Sequence, residues 1–346
     1  PRRCRHFLAA IAKQLLTEIA GTPQPDETLL NLDKITDSLG GKSALWELFS
    51  SHPPSLKLFV RLGASCEYLC NILTRNPGMI DELTDALITH ELPSRELLQA
   101  MLSDLLAGAE DVDPIIHSFK DAHHLRVGVR DITGQDKIVR THRCLSDIAE
   151  VCVSEILKLE HQKLIQRFGQ PVDSQGQPMF LNLLALGKLG GREPNYHSDL
   201  DIVFLYDIDG AEFSGASRDA TSHQEFFSRL AANVIKAISG AGPYGRLYEI
   251  DSRLRPTGKS GSLATSLKEF RRYFQEGHGQ LWERLALCKA RPLDENHSIV
   301  RGLKKLIFDL VTSHPWQASY AHEVVSMRLR MQEGASPRNL KRGHGG

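Results

Sequence analysis

The stretch from residue 171 to residue 206 constrains this chain more than any other, because there the apolar pattern stops being helical. Pro171-Val172-Asp173-Ser174-Gln175-Gly176 breaks the preceding periodicity. Phe180-Leu181-Asn182-Leu183-Leu184-Ala185-Leu186 is an apolar run of strand length and reads as a buried strand. A glycine-rich loop over 187–191 follows it. Asp199 to Tyr206 then alternates, with Leu200, Ile202, Phe204 and Tyr206 on one face and Asp199, Asp201, Val203 and Leu205 on the other. Arg246 to Arg255 alternates again and predicts a third strand.

The flanks are helical. From Asp26 to about Gly108, Leu29, Leu32, Leu39, Leu45, Leu48 and Phe49 recur at three-to-four spacing, punctuated by Gly40-Gly41, Pro53-Pro54 and Pro77. Asp113-Pro114 predicts a helix start with an Asp cap and Pro at the first helical position. Leu145, Ile148, Cys152, Ile156 and Leu159 form one stripe on a long helix over about 138–168. Ser222-His223-Gln224-Glu225 and Ser266-Leu267-Lys268-Glu269 are helix-start signatures, the first opening a helix over about 222–239 that Gly240 closes. Residues 279–291 and 294–332 also read as helical. Helices, a small mixed sheet, then helices again is the plan of an α+β protein.

Composition narrows the function classes. Lys plus Arg is 42 and Asp plus Glu is 42, so the chain lacks the basic surplus that coating nucleic acid requires. No apolar run approaches the roughly 18 residues of a membrane helix. Six scattered cysteines without a CxxC read as reduced thiols, which places the protein in the cytoplasm. With 346 residues, about two domains are expected. The chain starts without Met and ends on Lys341-Arg342-Gly343-His344-Gly345-Gly346, so it reads as a fragment of something longer.

Chemistry concentrates in two places. Ser198-Asp199-Leu200-Asp201 sets two carboxylates at i and i+2 on a strand, projecting to one side. At 4 Å and an effective dielectric near 20 their repulsion is roughly 4 kcal/mol. Hard oxygen ligands so spaced suit Mg²⁺. Gly187-Lys188-Leu189-Gly190-Gly191 just upstream allows the backbone to approach a phosphate. Alone, the two aspartates would read as a solvated surface turn. In Glu249-Ile250-Asp251-Ser252-Arg253-Leu254-Arg255-Pro256, alternation puts Asp251, Arg253 and Arg255 on one face. A third carboxylate beside two guanidinium groups suits a two-metal phosphoryl-transfer site. The plain alternative is a surface strand whose charges pair with one another.

Other features carry less. Gly258-Lys259-Ser260 is not a Walker loop, because position 253 is Arg where that motif needs Gly. Arg284, Cys288 and Arg291 share a face of the helix at i, i+4 and i+7, lining a nucleotide or protein-substrate groove or lying in solvent with Trp282 in the core. Cys66 and Cys70 read as core thiols. His117, His123 and His124 lack partners at metal-ligand spacing.

Three segments in order, LALGKLGGREPNYHSDLDIVFLYD, EIDSRLRPTGKSGSL and QLWERLALCKARPL, resemble the nucleotidyltransferase unit of glutamine synthetase adenylyltransferase. That bifunctional bacterial enzyme attaches AMP to glutamine synthetase and removes it. The upstream LDKITDSLGGKSALWELFSSHPPSLKLFVRLGASCEYLCNILTRNPGMIDEL resembles the helical region preceding one of its two catalytic halves. The resemblance implies a DNA-polymerase-β-like nucleotidyltransferase core, a small mixed sheet embedded in a largely helical protein. It places a metal-binding catalytic triad at Asp199, Asp201 and Asp251. It places nucleotide binding at Gly187, Lys188, Gly190, Gly191, Ser198, Arg253 and Arg255. It implies a helical lead-in over 1–135, a nucleotidyltransferase domain over 136–292 and the start of a C-terminal helical domain over 293–346. The loop departs from the family pattern at Pro194 and His197, and the last six residues resemble the beginning of the family's next motif.

The function implied is transfer of AMP from ATP to a tyrosine hydroxyl of glutamine synthetase, with Mg²⁺, by the C-terminal, adenylylating half. The first alternative is the deadenylylating half, phosphorolysis of AMP-tyrosine giving ADP. The second is a regulatory module that binds nucleotide without turnover. A tRNA or poly(A) nucleotidyltransferase would fit the catalytic strand but not the zero net charge. The whole family enzyme implies PII-type signalling partners, no nucleic acid and no membrane.

Overall fold

The long stripe at 145–159 and the breakers upstream of it set out the helices of the first half. A computed structural model of the chain describes residues 2–38, 42–80, 83, 91–207, 213–214, 222–293, 299–313 and 315–333. The described chain is mixed α+β, mostly helix with a small mixed sheet. It divides into two compact units, one of residues 1–159, 192–199 and 236–249, the other of 160–191, 200–235 and 250–346. Among the described residues no helix is long and apolar enough to cross a membrane.

The first unit holds α1 (Arg2–Ala20), α2 (Pro25–Ser38), α3 (Lys42–Ser51), α4 (Pro53–Ser65), α5 (Glu67–Arg75), α6 (Arg95–Leu106), α7 (Asp113–Ile132) and most of α8 (Ile138–Phe168). Pro53 opens α4 and Pro77 opens a single 3₁₀ turn, as ring-locked φ favours. The Gly40-Gly41 break lies outside the described residues, as does Leu39. Leu32, Leu45 and Phe49 join one core with Ile35, Leu56, Leu62, Leu69 and Leu125. Leu29, expected on the same stripe, is exposed. The cap of α7 is Val112, one residue earlier than expected, and Asp113 is already helical with Pro114 behind it. The Arg130 guanidinium forks onto Asp136, Nε–Oδ2 2.5 Å and Nη2–Oδ1 3.2 Å, and clamps the turn between α7 and α8. That pairing holds the Asp136 carboxyl below the usual carboxylate range.

The second unit is built on a five-stranded sheet. Its strands are β2 (Leu181–Ala185), β3 (Leu200–Tyr206), β5 (Ile250–Asp251), β6 (Ala264–Ser266) and β7 (Arg291–Pro292). A separate ribbon pairs β1 (Gln170–Pro171) with β4 (Phe213–Ser214). β3 is central. It runs antiparallel to β2 and parallel to both β5 and β6 on its other edge, while β7 pairs antiparallel with β2. Leu184, Leu186, Val203 and Leu205 bury one face against Phe270, Phe274, Leu303 and Leu306. Those four come from α11 (Leu267–Gln275) and α13 (Ile299–Thr312).

Several expectations hold and several do not. α10 (His223–Ser239) carries its Ser222 cap, whose Oγ accepts from Glu225 N at 3.1 Å, and Ser266 caps α11 in the same way. The third strand does not run from 246 to 255. Only Ile250 and Asp251 pair with β3, because Ser252–Arg255 turns away to close its own hydrogen bonds. The helix expected over 279–291 is α12 (Leu281–Leu287), and the chain then extends into β7 to satisfy the β2 edge. Residues 294–298 and 334–346, including the ending at 341–346, lie outside the described residues. The rest of 294–332 divides into α13 and α14 (Ala318–Glu333). Trp282 is 41% exposed, so it does not serve the core.

Two buried histidines set an acid limit on stability. Burial pushes both His123 and His161 down to about 4 from 6.5. His161 sits edge-on to Phe180 and Phe226, with ring centroids 5.7 and 5.8 Å away. The unfolded chain therefore binds protons that the folded chain refuses between pH 6.5 and 4. Stability should fall as pH drops through that window and be complete above it. Thermal melts against pH should show this fall, and a His123→Gln/His161→Gln double variant should make it shallower, with the similarly depressed His117 and His124 retaining the rest.

Candidate functional site

The glycine-rich segment after β2 is not an open loop. Gly187–Gly190 is one turn of helix, α9, entered at Gly187 with φ +53°. Gly190 N donates to Leu186 O at 2.8 Å and Gly191 N to Gly187 O at 3.2 Å, so those two amides serve the turn itself. Leu186 N donates to Asp201 O at 2.9 Å, which ties the start of the turn to β3.

Glycine is required at two of these positions. A Cβ on Gly187 would lie 2.1 Å from Asp201 Oδ2, and the positive φ disfavours any side chain. A Cβ on Gly190 would lie 2.1 Å from Lys289 O and 2.8 Å from Ala185 O. The Asp201 carboxylate therefore rests against bare backbone, in a cradle that any side chain at 187 would fill.

Sheet register brings Asp201 together with Asp251. They are partners in the parallel β3–β5 pair, at an interstrand spacing of about 4.8 Å and on the same face. Both are partly buried. The sequence-adjacent pair is different: β3 begins at Leu200, and Asp199 stands before it, exposed. Among the described residues no group of three or more His, Cys, Asp or Glu side chains converges to hold a metal ion. The two carboxylates and the bare-backbone cradle suit a hard divalent cation.

The arginines divide their roles. Arg253 N donates to Asp251 Oδ1 at 2.9 Å, and its Nε lies 2.9 Å from both carboxylate oxygens. Its side chain is nonetheless 67% exposed, so the guanidinium is held at the surface end of Asp251. Arg255 turns inward. It donates to Ser252 O at 2.8 Å and Gly261 O at 3.3 Å, bracing the 252–261 loop, and burial lowers its pKa. Asp251, Arg253 and Arg255 thus do not share a strand face, since the strand stops at Asp251. Lys188 is half-buried on α9. Ser198 is buried, and its Oγ accepts from Asn195 N at 2.9 Å and donates to Asn195 Oδ1 at 2.8 Å, which braces its own turn. Gly258–Ser260 is a 3₁₀ turn, not a phosphate loop opening a helix.

The face expected for Arg284, Cys288 and Arg291 does not exist, because α12 ends at Leu287. Arg284 donates to Phe274 O at 2.7 Å, Cys288 is exposed, and Arg291 lies on β7. Arg291 has the role that sequence reasoning missed. Its Nη2 and Nε donate to Leu189 O at 3.2 Å and Gly190 O at 3.4 Å, the C-terminal carbonyls of α9. A cation there also complements the partial negative charge of the turn's end. Only the β2–β7 pairing, distant in sequence, reveals this. Arg291→Ala should cost about 1–2 kcal/mol, read from urea melts. It should also lower any activity that depends on the placement of α9.

Cys66 caps α5 and Cys70 is buried, and burial raises both thiols. Both pack with the first unit's core, as the sequence suggests for core thiols.

Residues 56–303 match the family described as glutamate-ammonia ligase adenylyltransferase. Curated relatives named bifunctional glutamine synthetase adenylyltransferase/adenylyl-removing enzyme align along nearly the whole chain. The protein of Brucella melitensis biotype 1 is 32% identical over 97% of this chain and 34% of its own length. That of Thioalkalivibrio sulfidiphilus is 32% identical over 99% and 36%, and that of Pseudomonas aeruginosa is 30% identical over 96% and 34%. The chain spans about a third of the length of the curated relatives it matches. With more than half of its residues inside the family match, this chain belongs to the glutamate-ammonia ligase adenylyltransferase family.

Proposed function

We propose that this chain is a catalytic half of such an enzyme, a nucleotidyltransferase that moves AMP from ATP to a tyrosine hydroxyl of glutamine synthetase. The observation that carries the reading is the Asp201–Asp251 register pair, set against the bare backbone of Gly187. Two carboxylates on one face, one of them already paired with Arg253, suit a divalent cation, and a nucleoside triphosphate brings one. A central strand with one antiparallel and two parallel neighbours is consistent with a DNA-polymerase-β-like core. On this reading 136–292 is the nucleotidyltransferase domain, 1–135 its helical lead-in and 293–346 the start of a C-terminal helical domain.

Asp201 and Asp251, with Asp199, would hold Mg²⁺. When bound, the ion offsets charge on the phosphates and the attacking oxygen. The chain's own groups do the positioning. α9 sets its backbone beside the Asp201 carboxylate, and the first N–H groups of a helical turn lie outside its own ladder. Lys188 and Arg253 supply positive charge for the phosphates, and Arg255 holds the loop that carries Arg253. Asp251 helps take the proton from the tyrosine hydroxyl as its oxygen attacks the α-phosphate in line. Pyrophosphate leaves on the opposite side, and positioning and electrostatics supply most of the rate.

The names of the relatives couple adenylyl transfer with adenylyl removal, so the same carboxylates would also support phosphorolysis of AMP-tyrosine to ADP. A non-catalytic nucleotide-binding module would have no use for two carboxylates held in register. PII-type signalling proteins would act through the whole enzyme, in the cytoplasm, without membrane or nucleic acid.

Intact-mass spectrometry of unmodified glutamine synthetase after incubation with the chain, ATP and Mg²⁺ tests the proposal, with Asp199→Asn as control. A gain of one AMP per subunit, absent in the control, supports the adenylylating half. Phosphate-dependent ADP formation from adenylylated synthetase, without that gain, supports the removing half. Turnover in neither direction would overturn the reading.

A further inference from the structure

β5 is two residues long. A strand so short makes few ladder hydrogen bonds, so Asp251 depends on the chain to either side: Arg253 holds it from the C-terminal side, and the segment before it has anchors of its own. Residues 236–249 are fixed within the first unit. Leu247 N and Tyr248 N both donate to Ile238 O, at 3.1 and 3.2 Å. Lys120 Nζ, buried on α7, donates to Leu247 O at 2.9 Å and lies 5.0 Å from the centre of the Tyr248 ring. One turn further along α7, His124 Nε2 meets Tyr248 Oη at 3.2 Å.

The other nitrogen of the same ring looks the opposite way. His124 Nδ1 meets Tyr68 Oη at 2.9 Å. Tyr68 packs edge-on against His197 at 4.9 Å and tilts against Tyr196 at 5.8 Å, and Tyr196 also meets the His124 ring at 5.9 Å. Tyr196 Oη donates to Asp131 Oδ2 at 3.5 Å, anchoring that loop to α7 a second time. His124 is 2% exposed. Burial together with Lys120 lowers its pKa well below 6.5. A neutral imidazole has one donor and one acceptor nitrogen. One tyrosine therefore donates into the ring and the other accepts from it.

The spacing of these contacts along the chain is what gives them meaning. Tyr196 stands three residues before Asp199, and Tyr248 three residues before Asp251. We infer that His124, bridging Tyr68 and Tyr248 and packed against Tyr196, is a positioning residue that fixes the two segments delivering Asp199 and Asp251. This rests on the reading of those carboxylates as the reaction site. On this reading the histidine acts through the backbone that follows each tyrosine.

The test compares His124→Leu, His124→Gln and Tyr248→Phe with the unmodified chain. A glutamine amide retains one donor and one acceptor, leucine retains neither, and the tyrosine variant removes a single hydroxyl without a cavity. Hydrogen–deuterium exchange should rise about ten-fold in peptides covering 195–201 and 246–251 for His124→Leu. The rise should be smaller for His124→Gln, present near 248 for Tyr248→Phe, and absent over 181–186. Initial rates of AMP transfer should show kcat reduced about ten-fold in His124→Leu, KM for ATP within two-fold, and recovery toward the unmodified rate in His124→Gln. Unchanged exchange at both segments in folded His124→Leu and Tyr248→Phe would overturn the inference. Asp201→Asn separates the two levels. If it abolishes transfer while the His124 variants do not alter exchange, the site reading stands and the positioning role fails. If it leaves transfer intact, the site reading itself fails and the positioning role falls with it.

Discussion

Asp201→Asn should abolish AMP transfer, with kcat/KM down by about a thousand-fold or more, while the melting temperature of the folded chain changes little. The first half follows from register. Asp201 is the one acidic residue that is both the sheet partner of Asp251 and in contact range of the Gly187 backbone. A thousand-fold loss corresponds to about 4 kcal/mol of transition-state stabilisation, the scale expected when a charge-stabilising ligand is removed from a phosphoryl-transfer site. The second half follows from electrostatics. Two carboxylates on neighbouring strands repel, by roughly 4 kcal/mol at 4 Å and an effective dielectric of 20. The amide relieves that repulsion at nearly constant shape, and Arg253 already offsets part of it, so stability should change little. Differential scanning calorimetry beside the mass-shift assay reads both quantities. A folded Asp201→Asn protein with normal turnover would remove Asp201 from the site.

The largest stability effect expected from a single methyl group is at Gly190. Its Cβ would stand 2.1 Å from Lys289 O and 2.8 Å from Ala185 O, and both are backbone atoms in or beside strands. Neither can swing aside as a side chain could, so α9 must lift or the β2–β7 edge must open. Gly190→Ala should therefore cost about 3 kcal/mol and lower the melting midpoint by about 5–10 °C. Loss of activity should accompany it, since α9 carries the Gly187 cradle. Gly302→Ala provides the opposite sign. Nothing lies within 4 Å of a Cβ there, and the residue is inside α13. Helix propensity alone predicts a gain of up to about 1 kcal/mol. Equal melts for the two variants would show that the close approach at Gly190 imposes no constraint.

Periodicity located most elements because it reports burial directly. α8 covers the expected 138–168 around its stripe, and β2 and β3 follow the apolar run and the alternation closely. The failures share a cause. Residues 246–255 alternate, yet only two of them pair, because Arg253 and Arg255 find hydrogen-bond partners in their own turn. Residues 288–291 look like the end of a helix, yet the chain leaves it after Leu287 and pairs Arg291 and Pro292 with β2, a partner more than a hundred residues away. Local pattern cannot weigh a local turn or a distant strand edge against continuation of an element.

The candidate site shows the same division. Its residue types, three aspartates, a glycine cluster and two arginines, were legible because their chemistry is unusual at that spacing, and the ordered motifs pointed to the family that the comparisons show. That Asp251 joins the aspartates at 199 and 201 followed from the family resemblance and not from spacing, because 50 residues separate Asp201 from Asp251; the parallel pairing of β5 with β3 supplies the physical reason. Nor could the sequence indicate that Arg291 fastens α9, or that His124 sits between Tyr68 and Tyr248. By itself the sequence determined most of the helices, the two longer strands and the acidic and glycine-rich inventory, since each is written in residues close along the chain. The tertiary structure alone decided strand register, the loop that Arg255 braces and the tyrosine–histidine bridge. Each of those depends on hydrogen bonds between groups that only folding brings together.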